Sequence, residues 1–177
     1  MNSIVTFKCF TFKQVKEINK TIKKNILKKE GLSHVAEGAL KRGEFFVVPC
    51  MPLLKLVHPW LYKCQEVNNQ WFGYAIDWQF HLDTFNYNRY GINSGYDWHM
   101  DAITKHSLAD IKLTCLLNLS EEPYEGGEFK SLHQKGDLKF DSGMGLVIHS
   151  VVAHKVNPVT KGKRTTLTYW ATGPSWR

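Results

Sequence analysis

Two of the eight histidines in this 177-residue chain open a His-x-Asp triplet: His81-Leu82-Asp83 and His99-Met100-Asp101. On a strand, residues i and i+2 point to the same face, so this spacing aims an imidazole and a carboxylate at one ion. Composition alone yields roughly 0.3 such triplets in a chain of this make-up, so context must choose between the two. A second histidine from a distant strand completes a two-histidine, one-carboxylate set. That set occupies one face of an octahedron, leaves three positions open and suits non-haem Fe(II). His154 lies 53 residues beyond Asp101, and Arg164 ten residues beyond His154. A buried arginine recognises a carboxylate through two parallel hydrogen bonds. On the strand after the distal histidine, Arg164 can hold the far end of a dicarboxylic cosubstrate. The order His-x-Asp, His, Arg selects His99 and Asp101. No such context singles out His81 and Asp83, which read as a strand pair without a metal. His149, in the apolar run LVIH and fifteen residues before Arg164, is the lesser candidate for the distal histidine.

Such residues need strands to hold them. From Trp71 onward, short β-branched and aromatic runs alternate with Gly, Asn, Asp and Pro turns. The expected strands are Trp78–Leu82, Thr84–Tyr90, Tyr96–Met100, Ile111–Leu119, Gly127–Leu132, Leu146–His149, His154–Pro158 and Arg164–Thr172, a spacing typical of a β-sandwich or barrel. Upstream, Ile4–Phe10 and Phe45–Val48 read as short strands. Thr11 can cap a helix whose apolar stripe runs Phe12, Val15, Ile18, Ile22 and Ile26, with Gly31 as its stop. A second helix is expected from Pro52 towards Asn69, interrupted or kinked at Pro59. The chain is thus mostly β with N-terminal helices: a helical support region over 1–70 and a β core over 71–177. Its length suggests one domain.

The net charge of +7 raises nucleic acid as a partner, but the charge is local. Residues 11–30 hold seven lysines against two glutamates, and the rest of the chain carries only +2. The first reading of these lysines is the solvated face of one amphipathic helix. Segment 71–90 is rich in aromatics and either lines a peptide groove or fills a core, the second being the commoner use. The four cysteines have no Cys-x-x-Cys spacing and suit a reducing compartment. Neither a signal-peptide pattern nor an apolar run long enough to span a membrane is present, so a cytoplasmic protein without a membrane partner is expected.

The segments NRYGINSGYDWHMDA, LTCLLNLSEEPYEGGEF, VVAHKVNPVTKGKR and RTTLTYW resemble the 2-oxoglutarate- and Fe(II)-dependent dioxygenases of the prolyl hydroxylase-like branch. They are similar both to bacterial PKHD-type hydroxylases and to the oxygen-sensing prolyl hydroxylases. The resemblance covers about residues 85–172 and implies a double-stranded β-helix, or jelly-roll, core, with residues 1–177 as a single dioxygenase domain. It implies His99, Asp101 and His154 as iron ligands and Arg164 as the partner of the distal carboxylate of 2-oxoglutarate. Tyr90 matches a tyrosine that reaches the keto-acid end. Thr168 and Trp170 match positions beside the arginine strand, and Leu116 would pack on the cosubstrate's carbon chain. One position departs: Asn118 stands where the oxygen sensors carry a tyrosine hydroxyl. An amide can still donate to a carboxylate, but from a shorter side chain.

The resemblance further implies hydroxylation of a C–H bond with Fe(II), 2-oxoglutarate, O2 and ascorbate, releasing succinate and CO2. A peptidyl proline on a protein or peptide partner is the leading substrate. A free amino acid or another small molecule is the alternative, and a jelly-roll binding module with a vestigial metal site is the non-enzymatic one. Nucleic-acid demethylases of this superfamily carry a second arginine six residues after the first. Trp170 at that position argues against a nucleic-acid substrate.

Overall fold

The computed structural model describes residues 3–36, 39–78, 84–102, 109–134, 136, 138 and 140–176. The expected strand Trp78–Leu82 and the pair His81 and Asp83 lie almost wholly outside these residues.

The chain opens with β1 (Ile4–Lys8) and α1 (Phe12–Lys24). Thr11 caps α1 as expected, its hydroxyl accepting from the Gln14 backbone N–H while the Gln14 side chain reaches back to the Thr11 N–H. Val15, Ile18 and Ile22 are buried and the lysines face outward. The helix stops well before Gly31. Asn25 donates its side-chain amide to the Thr21 carbonyl, and Leu27 N–H already bonds to Val47. Ile26, which continues the stripe in sequence, is outside the helix, and Lys28–Ala36 forms β2. Pairing with β3 (Ala39–Pro49) overrides the helical periodicity there.

A single 3-10 turn, Met51–Leu53, leads into α2 (Leu54–Val67), which passes through Pro59 without stopping and ends in a π turn, Asn68–Phe72. Then come β4 (Thr84–Tyr90), β5 (Tyr96–His99), β6 (Ala109–Asn118), β7 (Glu125–Gly126), β8 (Phe129–Ser131), β9 (Met144–His149), β10 (His154–Val156), β11 (Val159–Lys161) and β12 (Arg164–Pro174). The strands fall close to the expected ones. The first seventy residues are not a purely helical support, however. β1 and β3 join the main sheet through partners far away in sequence, β9 and β4, and β2 joins it through a hairpin with β3.

That sheet is antiparallel and runs β1-β9-β6-β12-β4-β3-β5-β10-β8, with β2 also on β3; β7 and β11 form a separate ribbon. It curls. Leu116 of β6 and Leu146 and Ile148 of β9 share one buried cluster with Phe129 of β8 and Val156 of β10, although these strands stand far apart in sheet order. The result is the jelly-roll core implied by the motifs.

Strand alternation divides the central strands. Phe85 and Tyr87 of β4, Leu113, Cys115 and Leu117 of β6, and Leu167, Tyr169 and Ala171 of β12 pack against Val15, Ile18 and Ile22 of α1 and Trp60, Leu61 and Cys64 of α2. Fully burying a side chain such as Leu167 stabilises by about 1.5–3 kcal/mol. Among the described residues of segment 71–90, three aromatics serve this core: Trp78 stacks on Tyr169, Phe85 is buried, and the Tyr87 hydroxyl donates to buried Asn19. Trp71 is exposed.

Candidate active site

The opposite face of the same strands is buried but polar. Asn88 and Tyr90 on β4, Thr114 and Leu116 on β6, and Arg164, Thr166, Thr168 and Trp170 on β12 line a cavity that also holds His99, Asp101 and His154. Antiparallel pairing sets His154 of β10 opposite His99 of β5. Asp101 follows β5, its backbone N–H bonded to Ser150. Among the described residues these three side chains form the one group of at least three potential ligands, with ligand atoms within 4.8 Å of one another.

Each ring is oriented for coordination. His99 Nδ1 lies 2.8 Å from the Asp97 carbonyl, and His154 Nδ1 lies 2.9 Å from that of Val152. A carbonyl can only accept, so each Nδ1 carries a proton and each Nε2 is left facing Asp101. Those Nε2 atoms stand 3.7 Å and 3.5 Å from the two oxygens of Asp101. Thr114 donates a 2.6 Å hydrogen bond to Asp101 Oδ2 and fixes the carboxylate. Tyr96 stacks on His99 with ring centroids 3.5 Å apart, and Phe129 stacks on His154 at 5.1 Å. Burial first, and the neighbouring His154 second, push the His99 imidazole down to about 4, against the pull of Asp101. It is therefore neutral near pH 7, the form that binds a metal.

Arg164 lies across the cavity and is 1% exposed. Its guanidinium carbon sits 5.4 Å from the Tyr90 ring centroid and 5.8 Å from that of Phe140. Its Nε and Nη2 are buried without a hydrogen-bond partner. Buried donors of this kind are rare and costly unless a ligand completes them. Gly127, at φ +67°, passes so close that a Cβ there would meet Arg164 Cδ and Val159 Cγ2 at 3.0 Å. Trp170 Nε1 is a further buried donor without a partner on the cavity wall. A two-imidazole, one-carboxylate set fits Fe(II), and an uncompensated buried guanidinium fits a carboxylate.

Tyr90, Leu116, Thr168 and Trp170 all line this cavity. Burial pushes the Tyr90 hydroxyl well above its ordinary range, so it remains a neutral donor. Asn118 lies elsewhere. It is fully buried, its amide nitrogen donating to the Phe140 carbonyl and the Tyr124 hydroxyl and its amide oxygen accepting from Ser120 N–H. His149 is engaged away from the triad, 2.8 Å from the Tyr74 hydroxyl and edge-on to Phe72. Motif reading misses seven residues of the site: Lys41, Asn88, Tyr96, Thr114, Phe129, Val156 and Thr166. Thr114 was accessible, since it shares strand parity with Leu116. Lys41 has no sequence signal, because it reaches the site only through the pairing of β3 with β5.

A sequence profile of the 2OG-Fe(II) oxygenase superfamily matches residues 85–172. A PKHD-type hydroxylase of Pseudoalteromonas atlantica is 35% identical over 92 residues, which are 48% of this chain and 40% of that protein. The match thus spans about two fifths of that relative's length. A Pseudomonas putida prolyl-4-hydroxylase superposes with a TM-score of 0.68 at 15% identity, covering 99% of this chain and 95% of the other. A Trichoplax adhaerens prolyl hydroxylase, solved with a hypoxia inducible factor oxygen degradation domain peptide fragment, superposes with a TM-score of 0.67 at 15% identity, covering 97% and 84%. At such identities the two structures share a fold with this chain. Sequence profile, fold and site agree: the chain belongs to the 2OG-Fe(II) oxygenase superfamily, whose reactants are Fe(II), 2-oxoglutarate and O2.

Proposed function

We propose that the protein hydroxylates a C–H bond, with a peptidyl proline as the leading substrate and succinate and CO2 as co-products. The observation that carries this reading is Arg164: a buried guanidinium with two unpartnered nitrogens, opening on the same cavity as a two-histidine, one-carboxylate set. Bound Fe(II) supplies the activation of O2, coupled to oxidative decarboxylation of the oxo acid. The chain's own residues do the rest. Arg164 binds the far carboxylate of 2-oxoglutarate. Leu116 packs on the carbon chain, and Tyr90 and Trp170 offer neutral donors. The hydrogen bonds from Nδ1 of His99 and His154 to carbonyls, and from Thr114 to Asp101, hold the ligand atoms in place before any ion arrives. Phe129, Tyr96 and Val156 keep that end of the cavity apolar and exclude water.

Two observations support a peptide partner. Trp98 and Met100 alternate with the ligands His99 and Asp101 and expose 44% and 45% of their surface beside the metal end. A large apolar side chain on each flank of a ligand suits a macromolecular substrate better than a small polar one. In addition, a relative of the same fold was solved with a peptide fragment. No helix among the described residues is long and apolar enough to cross a membrane.

The test is Fe(II)-dependent conversion of 2-oxoglutarate to succinate in the presence of proline-containing peptides, with mass spectrometry locating one added oxygen. Turnover is expected with the intact chain and none above background in His99→Ala or Asp101→Ala. Undiminished turnover in both variants overturns the reading. Oxygen mapped to a free amino acid, with no peptide accepted, redirects it to a small-molecule hydroxylase.

A further inference from the structure

The stretch after Leu119 is acidic in a chain that carries +7: residues 120–129 hold four glutamates and neither lysine nor arginine. Three of them, Glu121, Glu122 and Glu128, line a cleft of about 600 Å³. The cavity at the metal ligands measures about 40 Å³. A volume of several hundred Å³ is typical of ligand sites. The chain itself holds this cleft open, by tying the 120–128 stretch to residues 140–142. The Asn118 amide donates to both the Tyr124 hydroxyl and the Phe140 carbonyl, and the Ser142 hydroxyl donates to the Ser120 carbonyl.

Floor and rim differ in chemistry. Phe129 and Phe140 are buried and form the floor with half-buried Tyr124, while Phe12, 49% exposed, flanks the mouth. No lysine or arginine lines the cleft among the described residues. Lys23 offsets Glu121 at 3.3 Å, and Asp141 has a partner of its own. Two carboxylates retain their charge. Glu122 is exposed and belongs to no ion pair among the described residues, and Glu128 Oε2 accepts from the neutral Asn157 amide. Aromatic rings beneath carboxylates match a side chain with an apolar stem and a cationic head, which is the form of lysine and arginine. The cleft also backs onto the catalytic cavity. Phe129 lines both spaces and stacks on His154, and the Phe140 ring centroid lies 5.8 Å from the Arg164 guanidinium carbon.

We propose that this cleft is a docking site for a lysine or arginine of the peptide that is oxidised at the metal. The inference rests on the reading of the protein as a peptide hydroxylase and adds a sequence requirement to it. The stem of the basic residue packs on Tyr124, Phe129 and Phe140, and its head meets Glu122 and Glu128. Cleft and metal ligands share the β8 wall, so the basic residue and the oxidised residue stand a fixed number of positions apart in the substrate.

The experiment uses the full chain with Fe(II), 2-oxoglutarate, O2 and a synthetic library of proline-centred peptides with randomised flanks, the oxidised products being sequenced by mass spectrometry. Lysine or arginine is expected to be enriched about fivefold at one spacing from the oxidised residue. The enrichment should shrink as salt is raised. In the double variant Glu122→Lys with Glu128→Lys, aspartate or glutamate is expected to replace the basic residue at that spacing, while peptides with uncharged flanks turn over as before. A structural role for the two glutamates predicts no such reversal. Affinity for 2-oxoglutarate and the thermal midpoint report whether the variant folds. Glu122→Gln with Glu128→Gln carries the test if it does not, and loses the enrichment without reversal. Oxidised peptides with no basic preference overturn the inference, as does a preference that the folded variants retain; the reading as a peptide hydroxylase then stands. If the chain binds 2-oxoglutarate and oxidises no peptide of the library, that reading fails and the docking site with it.

Discussion

β4, β6 and β12 carry two surfaces that are equally hidden from water and chemically opposite. On the helix side, Leu167, Tyr169, Leu113 and Phe85 interlock with α1 and α2, and nearly all of that surface is apolar. On the cavity side, one residue over on each strand, stand Arg164, Thr166, Thr168, Thr114 and Asn88. The first surface has its partners within the chain. The second keeps hydrogen-bonding capacity in reserve, in the unpartnered nitrogens of Arg164 and Trp170. Neighbouring residues such as Leu167 and Thr168 therefore serve different ends: one holds the sheet to its helices, and the other lines a site that the sheet exists to present.

That contrast can be broken at several points. Leu167→Ala should lower stability by about 2–5 kcal/mol, since it opens a cavity in the helix-side core. The folded fraction should bind 2-oxoglutarate as before, and chemical denaturation with parallel binding measures both. Arg164→Met makes the opposite trade: affinity for 2-oxoglutarate falls by about a hundredfold. The apo protein should unfold at the same temperature or higher, because the change removes buried donors that have no partner. A clear fall in apo stability would mean that Arg164 is structural and the two faces are less distinct than drawn. Thr114→Val retains shape and removes the bond to Asp101. Metal affinity should drop by about tenfold, the lower end for a group that orients a ligand. Thr11→Ala at the α1 cap should cost about 1 kcal/mol of stability and leave binding untouched.

Much of the cavity face was legible because chemistry leaves fixed spacings. His99, Asp101, His154 and Arg164 follow from motif order, and the family resemblance adds Thr168 and Trp170 beside the arginine. The Thr11 cap and the Val15, Ile18 and Ile22 positions of the α1 stripe followed from local rules as well, whereas Phe12 and Ile26 are exposed. What escaped was set by strand pairing. Lys28–Ala36 contains three charged residues and a glycine and has no strand pattern, yet it pairs along β3. Lys41 enters the site because β3 meets β5, 55 residues away in sequence. Asn118 stands where the oxygen sensors carry a tyrosine, but its amide is taken up by Ser120, Tyr124 and Phe140 in a local network that no single position reveals.

The register that sets His154 directly opposite His99 has a consequence beyond catalysis. An ion held by both is a tie between neighbouring strands at the short-stranded end of the sheet, where β5, β10 and β8 have four, three and three residues. Mass action then makes the protein's persistence a function of its metal supply. Free ion at a hundred times its dissociation constant adds about 2.7 kcal/mol to the folded state. When metal is scarce, β5, β10 and β8 are the first part of the sheet to open, and amide exchange there serves as a gauge of how much metal the chain has found.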